Sequence, residues 1–289
     1  MEQLIHTKPK RLFAFGCSFT KYFWTSWPEL VADALDIPFY NFGRSGAGNQ
    51  YIANVLMQTD KQYKITQDDM VIISWTNVCR EDRWAKGTWL LTGNVYSQGI
   101  YDDVFVDKFA DPVGYYIRDL ATMNLVKTFL DHKECQYKFL SMCNILERQD
   151  QGEDYNLIEE KYMSMYTHVA NLYKDITDMV LPSFYEVLWE DNIHKNKFDI
   201  ERQTLSPLFL DGHPSPIEHW KYLKAVFDYP WPASTEEKAL IAQENYVKII
   251  KDMAAEYKKP FSIYDRPKEI LDNLREKTLV KQSLPVRHI

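Results

Sequence analysis

Over the first half of the chain, short apolar runs alternate with longer stretches of helical spacing. Leu12 to Phe15 is apolar, too short for a helix and suited to a buried strand. Gly16 permits a sharp turn beyond it. Trp27, Leu30, Val31 and Leu35 then recur at helical spacing, which predicts a helix from near Ser26 with Pro28 in its first turn. Ile37 to Phe42 reads as a second strand. It is followed by the glycine-rich loop Gly43-Arg44-Ser45-Gly46-Ala47-Gly48-Asn49 and a helix with Ile52, Val55 and Leu56 on one side. Asp69 to Trp75, a β-branched apolar run after polar turn residues, is the plainest strand. Thr76 and Asn77 lie at its carboxyl end.

The stretch from about Arg80 to Asp111 holds Trp84, Trp89, Tyr96 and Tyr101 among scattered glycines and reads as an insertion or lid rather than a helix. Pro112 to about His132 is predicted helical, with Ile117, Leu120, Leu125 and Leu130 as its apolar side. Tyr137 to Met142 is a fourth strand, and Tyr155 to Met179 a helical stretch. Asp211 to Pro216 is a turn leading into a helix through His219, Leu223 and Phe227. After Pro230-Trp231-Pro232, Ser234 and Glu237 fit a capping box for a helix to about Tyr257. The pattern predicts an α/β fold, a three-layer α/β/α sandwich with a mainly parallel sheet, over residues 1–230. Residues 231–289 form a helical carboxyl-terminal extension expected to pack on the domain or on a partner, a second copy included.

Composition narrows the function. The formal charge of -7 argues against a nucleic-acid surface, which needs clustered positive charge. Aromatic residues make up 15%, enough to serve either a core or a sugar or acyl pocket. Cys17, Cys79, Cys135 and Cys143 show no C-x-x-C pair or His/Cys cluster, so neither a metal site nor a disulfide framework is indicated, and no cofactor is expected. Met1 to Arg11 lacks the apolar core of a signal peptide, and no apolar run is long enough to span a bilayer. The expectation is a reduced, cytoplasmic protein that binds no membrane.

Ser18, at the carboxyl end of a predicted strand, stands where open α/β sheets bind ligands and is a candidate nucleophile. A serine hydroxyl needs a base within reach, and an oxyanion needs fixed donors. Gly46, Asn77 and His213, each near a predicted strand end or turn, are the positions that can supply them.

Gly16-Cys17-Ser18-Phe19-Thr20, Gly46 within Asn41-Phe42-Gly43-Arg44-Ser45-Gly46, Asn77 after Ile72-Ile73-Ser74-Trp75-Thr76, and Asp211-Gly212-His213-Pro214 resemble, in order, the four blocks of the SGNH hydrolases, or GDSL esterases. The resemblance covers roughly residues 11 to 220. It implies that Ser18 attacks an acyl carbon and that His213 is the base. The Ser18 and Gly46 N–H groups with the Asn77 amide would form the oxyanion hole, and Asp211 would orient the imidazole. Two departures stand out. Cys17 occupies the place of the family's aspartate before the serine, and Asp211 stands two residues before His213 where the family has three. The ring is then oriented either by Asp211 or by a backbone carbonyl.

Other residues compete. His219, inside a predicted helix, reads as a packing histidine. His6, His132, His168, His194 and His288 read as surface residues, and Cys17 and Cys79 as small buried apolar ones. Trp75, Arg80 and Trp84 are candidate substrate-binding residues, although the plainer reading is core packing for the tryptophans and an Arg80–Glu81 ion pair for the arginine. The expected activity is hydrolysis of an ester, such as a short O-acyl (O-acetyl) group on a carbohydrate. The alternatives are O-acyl transfer by the same site, or a non-catalytic binding or structural protein retaining the fold.

Overall fold

In the computed structural model, which describes residues 1–96, 101–145, 160–189, 209, 211–256 and 278–286, the central strands are buried on both faces. Leu12 to Phe15 are all buried, as is every residue of Asp69–Trp75. Strands with no wet side require helices above and below. In chain order the elements are β1 (Glu2–Gln3), β2 (Arg11–Phe15), α1 (Trp27–Leu35), β3 (Phe39–Asn41), α2 (Asn49–Tyr63), β4 (Asp69–Trp75), β5 (Arg80–Ala85) and β6 (Thr88–Asn94). There follow α3 (Asp103–Phe109), α4 (Pro112–Lys133), β7 (Gln136–Ser141), α5 (Glu160–Leu172), α6 (Lys174–Thr177), α7 (Phe184–Trp189), α8 (Pro216–Val226), β8 (Phe227–Asp228) and α9 (Ala233–Glu256).

The main sheet runs β3-β2-β4-β7, all parallel. Val180 extends it with a parallel bridge to Phe139. From β2 the chain crosses to one side and from β4 to the other, so the topological switch point lies between β2 and β4. A crevice is expected outside their carboxyl ends. Helix α1 packs with α8 and α9, whereas α2 packs with α4 and α4 with α5, giving a helical layer on each face. The fold is the expected α/β class with a mainly parallel sheet. Among the described residues no helix is long and apolar enough to cross a membrane.

Three local expectations are corrected. The segment after β4 is an antiparallel hairpin, β5–β6, followed by the helix α3. Lys86 and Gly87, at φ 53° and 79°, make the two-residue turn that suits the twist of paired strands. Helix α3 is only seven residues long and half-buries Phe105 and Val106 on the core, too short a stretch for its periodicity to stand out. In α4, Ile117 and Leu125 face solvent. The buried side runs through Val113, Tyr116, Leu120, Met123 and Leu130. Helix α9 begins at Ala233, which places Ser234 inside its first turn rather than before it, so the Ser234–Glu237 box does not form.

Helix α9 buries Ala239, Ala242, Tyr246, Ile250 and Met253 against the domain. The stretch 278–286 returns to edge strand β3, where the Leu284 N–H donates to the Phe39 carbonyl at 2.8 Å. Residues 155–159 of the expected helical stretch, and 257–277 and 287–289 of the extension, lie outside the described residues, as do His194 and His288.

Candidate active site

Ser18 sits in a tight turn just past β2, where the Thr20 N–H donates to the Cys17 carbonyl at 3.0 Å. His213 comes from the turn before α8. That helix start is pinned by Glu218, whose carboxylate accepts from the Ser215 N–H at 2.6 Å. The two meet: His213 Nε2 lies 2.7 Å from Ser18 Oγ. On its other side, His213 Nδ1 lies 2.7 Å from Asp211 Oδ1, and the same oxygen accepts the His213 backbone N–H at 2.9 Å. The two-residue spacing therefore still reaches the ring, because the turn folds the carboxylate back over the histidine's own backbone.

Burial pushes the Asp211 carboxyl up. The neighbouring His213, its two hydrogen bonds and the Tyr22 hydroxyl outweigh that and hold the carboxyl below the usual range. An ionised carboxylate only accepts, so Nδ1 must carry the ring proton. Nε2 is then left with a lone pair facing the Ser18 hydroxyl.

The two positions expected to supply donors follow neighbouring strands. Gly46 lies in the loop after β3, and Asn77 lies two residues beyond β4. Asn77 Oδ1 accepts from the Cys79 N–H at 2.8 Å, which fixes the amide so that its NH₂ is the end left to donate. Among the described residues, neither the Ser18 N–H, the Gly46 N–H nor the Asn77 amide donates to the protein. Gly46 has φ 77°, and a Cβ there would lie 2.8 Å from the Leu91 carbonyl oxygen.

Two supports were invisible in sequence. Asp82 on β5 accepts from the Gly48 and Tyr51 N–H groups, each at 2.9 Å, and so caps α2 from another element. The Gly93 N–H donates to the Gly46 carbonyl at 3.1 Å, which joins β6 to the same loop. Behind Asn77, Asn49 accepts from the Thr76 N–H at 2.9 Å and donates to the Thr76 carbonyl at 3.0 Å and to Asp119 Oδ2 at 2.8 Å.

The remaining candidates separate cleanly. Trp75 is fully buried and edge-on to Phe139, so it presents no face to a ligand. Arg80 Nη1 donates to the Ala47 carbonyl at 2.8 Å and Nη2 lies 3.5 Å from Met142 Sδ, while Glu81 pairs with Arg83 and Arg118 instead of Arg80. Trp84 is half exposed on the hairpin, its ring edge-on to Trp89. His219 is buried against Phe184. His6, His132 and His168 are exposed. Cys17 and Cys79 are buried, the former with its Sγ 3.9 Å from Met142 Sδ. Among the described residues no cluster of His, Cys, Asp or Glu is arranged to hold a metal ion.

Fold and site together define a doubly wound α/β protein with a Ser-His-Asp hydrogen-bonded series at the sheet's carboxyl edge. Solved structures similar to this chain include a member of the lipolytic protein G-D-S-L family from Veillonella parvula, at 12% identity, 74% of this chain and 96% of that one, and TM-score 0.38. A GDSL-like lipase from Bacteroides thetaiotaomicron matches at 12% identity, 76% and 88% coverage, and TM-score 0.38. The psychrotrophic esterase EstA from Pseudoalteromonas matches at 11% identity, 74% and 95% coverage, and TM-score 0.39. No family model and no curated protein matches the chain by sequence.

Proposed function

We propose that this protein is a serine hydrolase of the SGNH type, cleaving a carboxylic ester through an acyl-serine intermediate. The observation that carries the reading is the hydrogen-bonded series Ser18–His213–Asp211, 2.7 Å at each side-chain link. Ser18 Oγ attacks the acyl carbon while its proton passes to His213 Nε2. The carbonyl oxygen gains a negative charge, which the Ser18 and Gly46 N–H groups and the Asn77 amide stabilise. As the intermediate collapses, the C–O bond to the alcohol breaks and the alcohol takes the proton from Nε2. Water then repeats the sequence on the acyl-serine and releases the acid. Asp211 holds the tautomer throughout and stabilises the imidazolium.

The substrate class we propose is a short O-acyl ester, O-acetyl on a carbohydrate in particular. The half-exposed ring of Trp84, on a hairpin bonded to the Gly46 loop, supports it, since an aromatic face packs well on the apolar face of a sugar. A fluorophosphonate probe tests the activity: wild-type protein should be labelled at Ser18, and Ser18→Ala should not. An unlabelled wild-type protein, or a Ser18→Ala variant that hydrolyses p-nitrophenyl acetate at the parent rate, overturns the reading.

A further inference from the structure

Tyr22 is buried beside the Asp-Gly-His turn and touches both members of the acid–base pair. Its hydroxyl donates to Asp211 Oδ2 at 2.7 Å. Its ring lies against the imidazole of His213, with centroids 3.8 Å apart and planes 21° from parallel. With Oδ1 bound by the His213 backbone and ring, and Oδ2 by Tyr22, the carboxylate cannot rotate without breaking a bond to one side.

Tyr22 is itself held. It packs edge-on to Trp24 at 4.6 Å, and Trp24 Nε1 donates to the carbonyl of Pro214, the residue after His213, at 2.7 Å. Trp24 is in turn edge-on to Tyr246 of α9 at 4.8 Å. Tyr22, Trp24, Phe209, Tyr246, Ile250 and Met253 form an apolar cluster separate from the main core. The extension therefore closes on the back of the turn that carries the base.

We infer that Tyr22 is a positioning residue for the Asp211–His213 pair, and that α9 is its backing, so the carboxyl-terminal helix belongs to the active site as well as to the fold. The inference rests on the hydrolase reading above. No proton moves through Tyr22. Its hydroxyl fixes the carboxylate, and its ring fixes the plane of the imidazole.

Tyr22→Phe keeps the ring and removes one donor. It should lower kcat for p-nitrophenyl acetate about tenfold or more, the scale of one hydrogen bond to a charged group, with KM little changed. The downfield proton resonance of His213 Nδ1–H should move upfield or broaden by exchange. Tyr246→Ala, which removes the backing of Trp24, should move the same resonance in the same direction. A Tyr22→Phe protein with parental kcat and an unmoved resonance overturns the inference. A Tyr246→Ala protein that is less stable yet keeps the resonance overturns the part assigned to α9. If the wild type fails to label at Ser18, the hydrolase reading falls, but the resonance still decides whether Tyr22 holds the pair.

Discussion

Ser18 Oγ and His213 Nε2 lie 2.7 Å apart although 195 positions separate them in the chain. The parallel sheet brings one in at the end of β2, and the start of α8 brings in the other. Because the contact is made by a single hydroxyl, its deletion is expected to act on chemistry and hardly on stability. Ser18→Ala should unfold within about 1 kcal/mol of the parent in urea while losing acyl-enzyme formation completely. Intact-protein mass spectrometry after a p-nitrophenyl acetate burst reads the second effect directly.

Asn77 should behave differently. If Asn77 serves the proposed oxyanion hole, replacement by alanine removes a donor, a loss that typically costs on the order of 10²–10³ in kcat. It also strands the Cys79 N–H that now donates to Asn77 Oδ1 at 2.8 Å. The expected variant is slow and about 1 kcal/mol less stable, and it is still labelled at Ser18 by fluorophosphonate. Parental kcat in a folded Asn77→Ala protein would take Asn77 out of the oxyanion hole.

Gly46 and Gly87 have nearly the same φ, 77° and 79°. Alanine at either meets a left-handed conformation that costs roughly 1–2 kcal/mol. At Gly87 nothing lies within 4 Å of the added Cβ, whereas at Gly46 it meets the Leu91 carbonyl oxygen at 2.8 Å. Gly46→Ala should therefore lower the melting temperature more than Gly87→Ala and should reduce kcat, since the loop must shift. Equal melting temperatures in the two variants would contradict this account.

Asp82 joins the hairpin to the glycine-rich loop. Its carboxylate accepts the Gly48 and Tyr51 N–H groups at the start of α2, which has no side-chain cap of its own. Asp82→Ala should cost about 1–2 kcal/mol, the size of a lost helix cap, and should lower kcat by loosening Gly46. Denaturation midpoints together with kcat check it: a stability loss with unchanged kcat would show that the cap serves α2 alone.

The strands were legible because their apolar runs are short and bounded by polar turns. Asp69–Trp75 has the limits that its sequence pattern gives. The approach of Ser18 to His213 was an expectation of the family resemblance that four segments carry in order, not of spacing or periodicity. What the pattern hid has no periodic signal. Helix α3 is short and only half-buries Phe105 and Val106, and the buried side of α4 is polar in part, with Asp119 on it. Tyr22 and Asp82 act on residues far along the chain, Tyr22 on Asp211 across 189 positions and Asp82 on Gly48 across 34. Single-chain spacing carries no trace of such pairs, although the Lys86-Gly87 turn between Trp84 and Trp89 was a hairpin signal in plain view.

Two buried aspartates should titrate in opposite senses. Burial raises Asp119 to about 6, against the pull of Arg118 and Asn49, whereas His213 and Tyr22 hold Asp211 below the usual carboxylate range in spite of burial. A raised folded-state value means that the folded protein binds the proton more tightly than the unfolded chain. Asp119 thus favours folding below about pH 4, and that contribution is lost as pH rises through about 6. Asp211 does the reverse: its contribution is present above the ordinary carboxylate range and lost only as the pH falls below it. Carboxyl ¹³C NMR should show Asp119 with a midpoint near 6 and Asp211 with one below that of an ordinary aspartate. Near neutral pH, Asp119→Asn should destabilise by roughly 1–3 kcal/mol, because both carboxylate oxygens now accept, from Asn49 at 2.8 Å and Arg118 at 2.7 Å, and an amide sets a donor against one of them. The damage should travel, since Asn49 also brackets Thr76, the residue before Asn77. A drop in kcat larger than the stability loss explains would trace that path, and an Asp119→Asn protein with parental stability and parental kcat would contradict it.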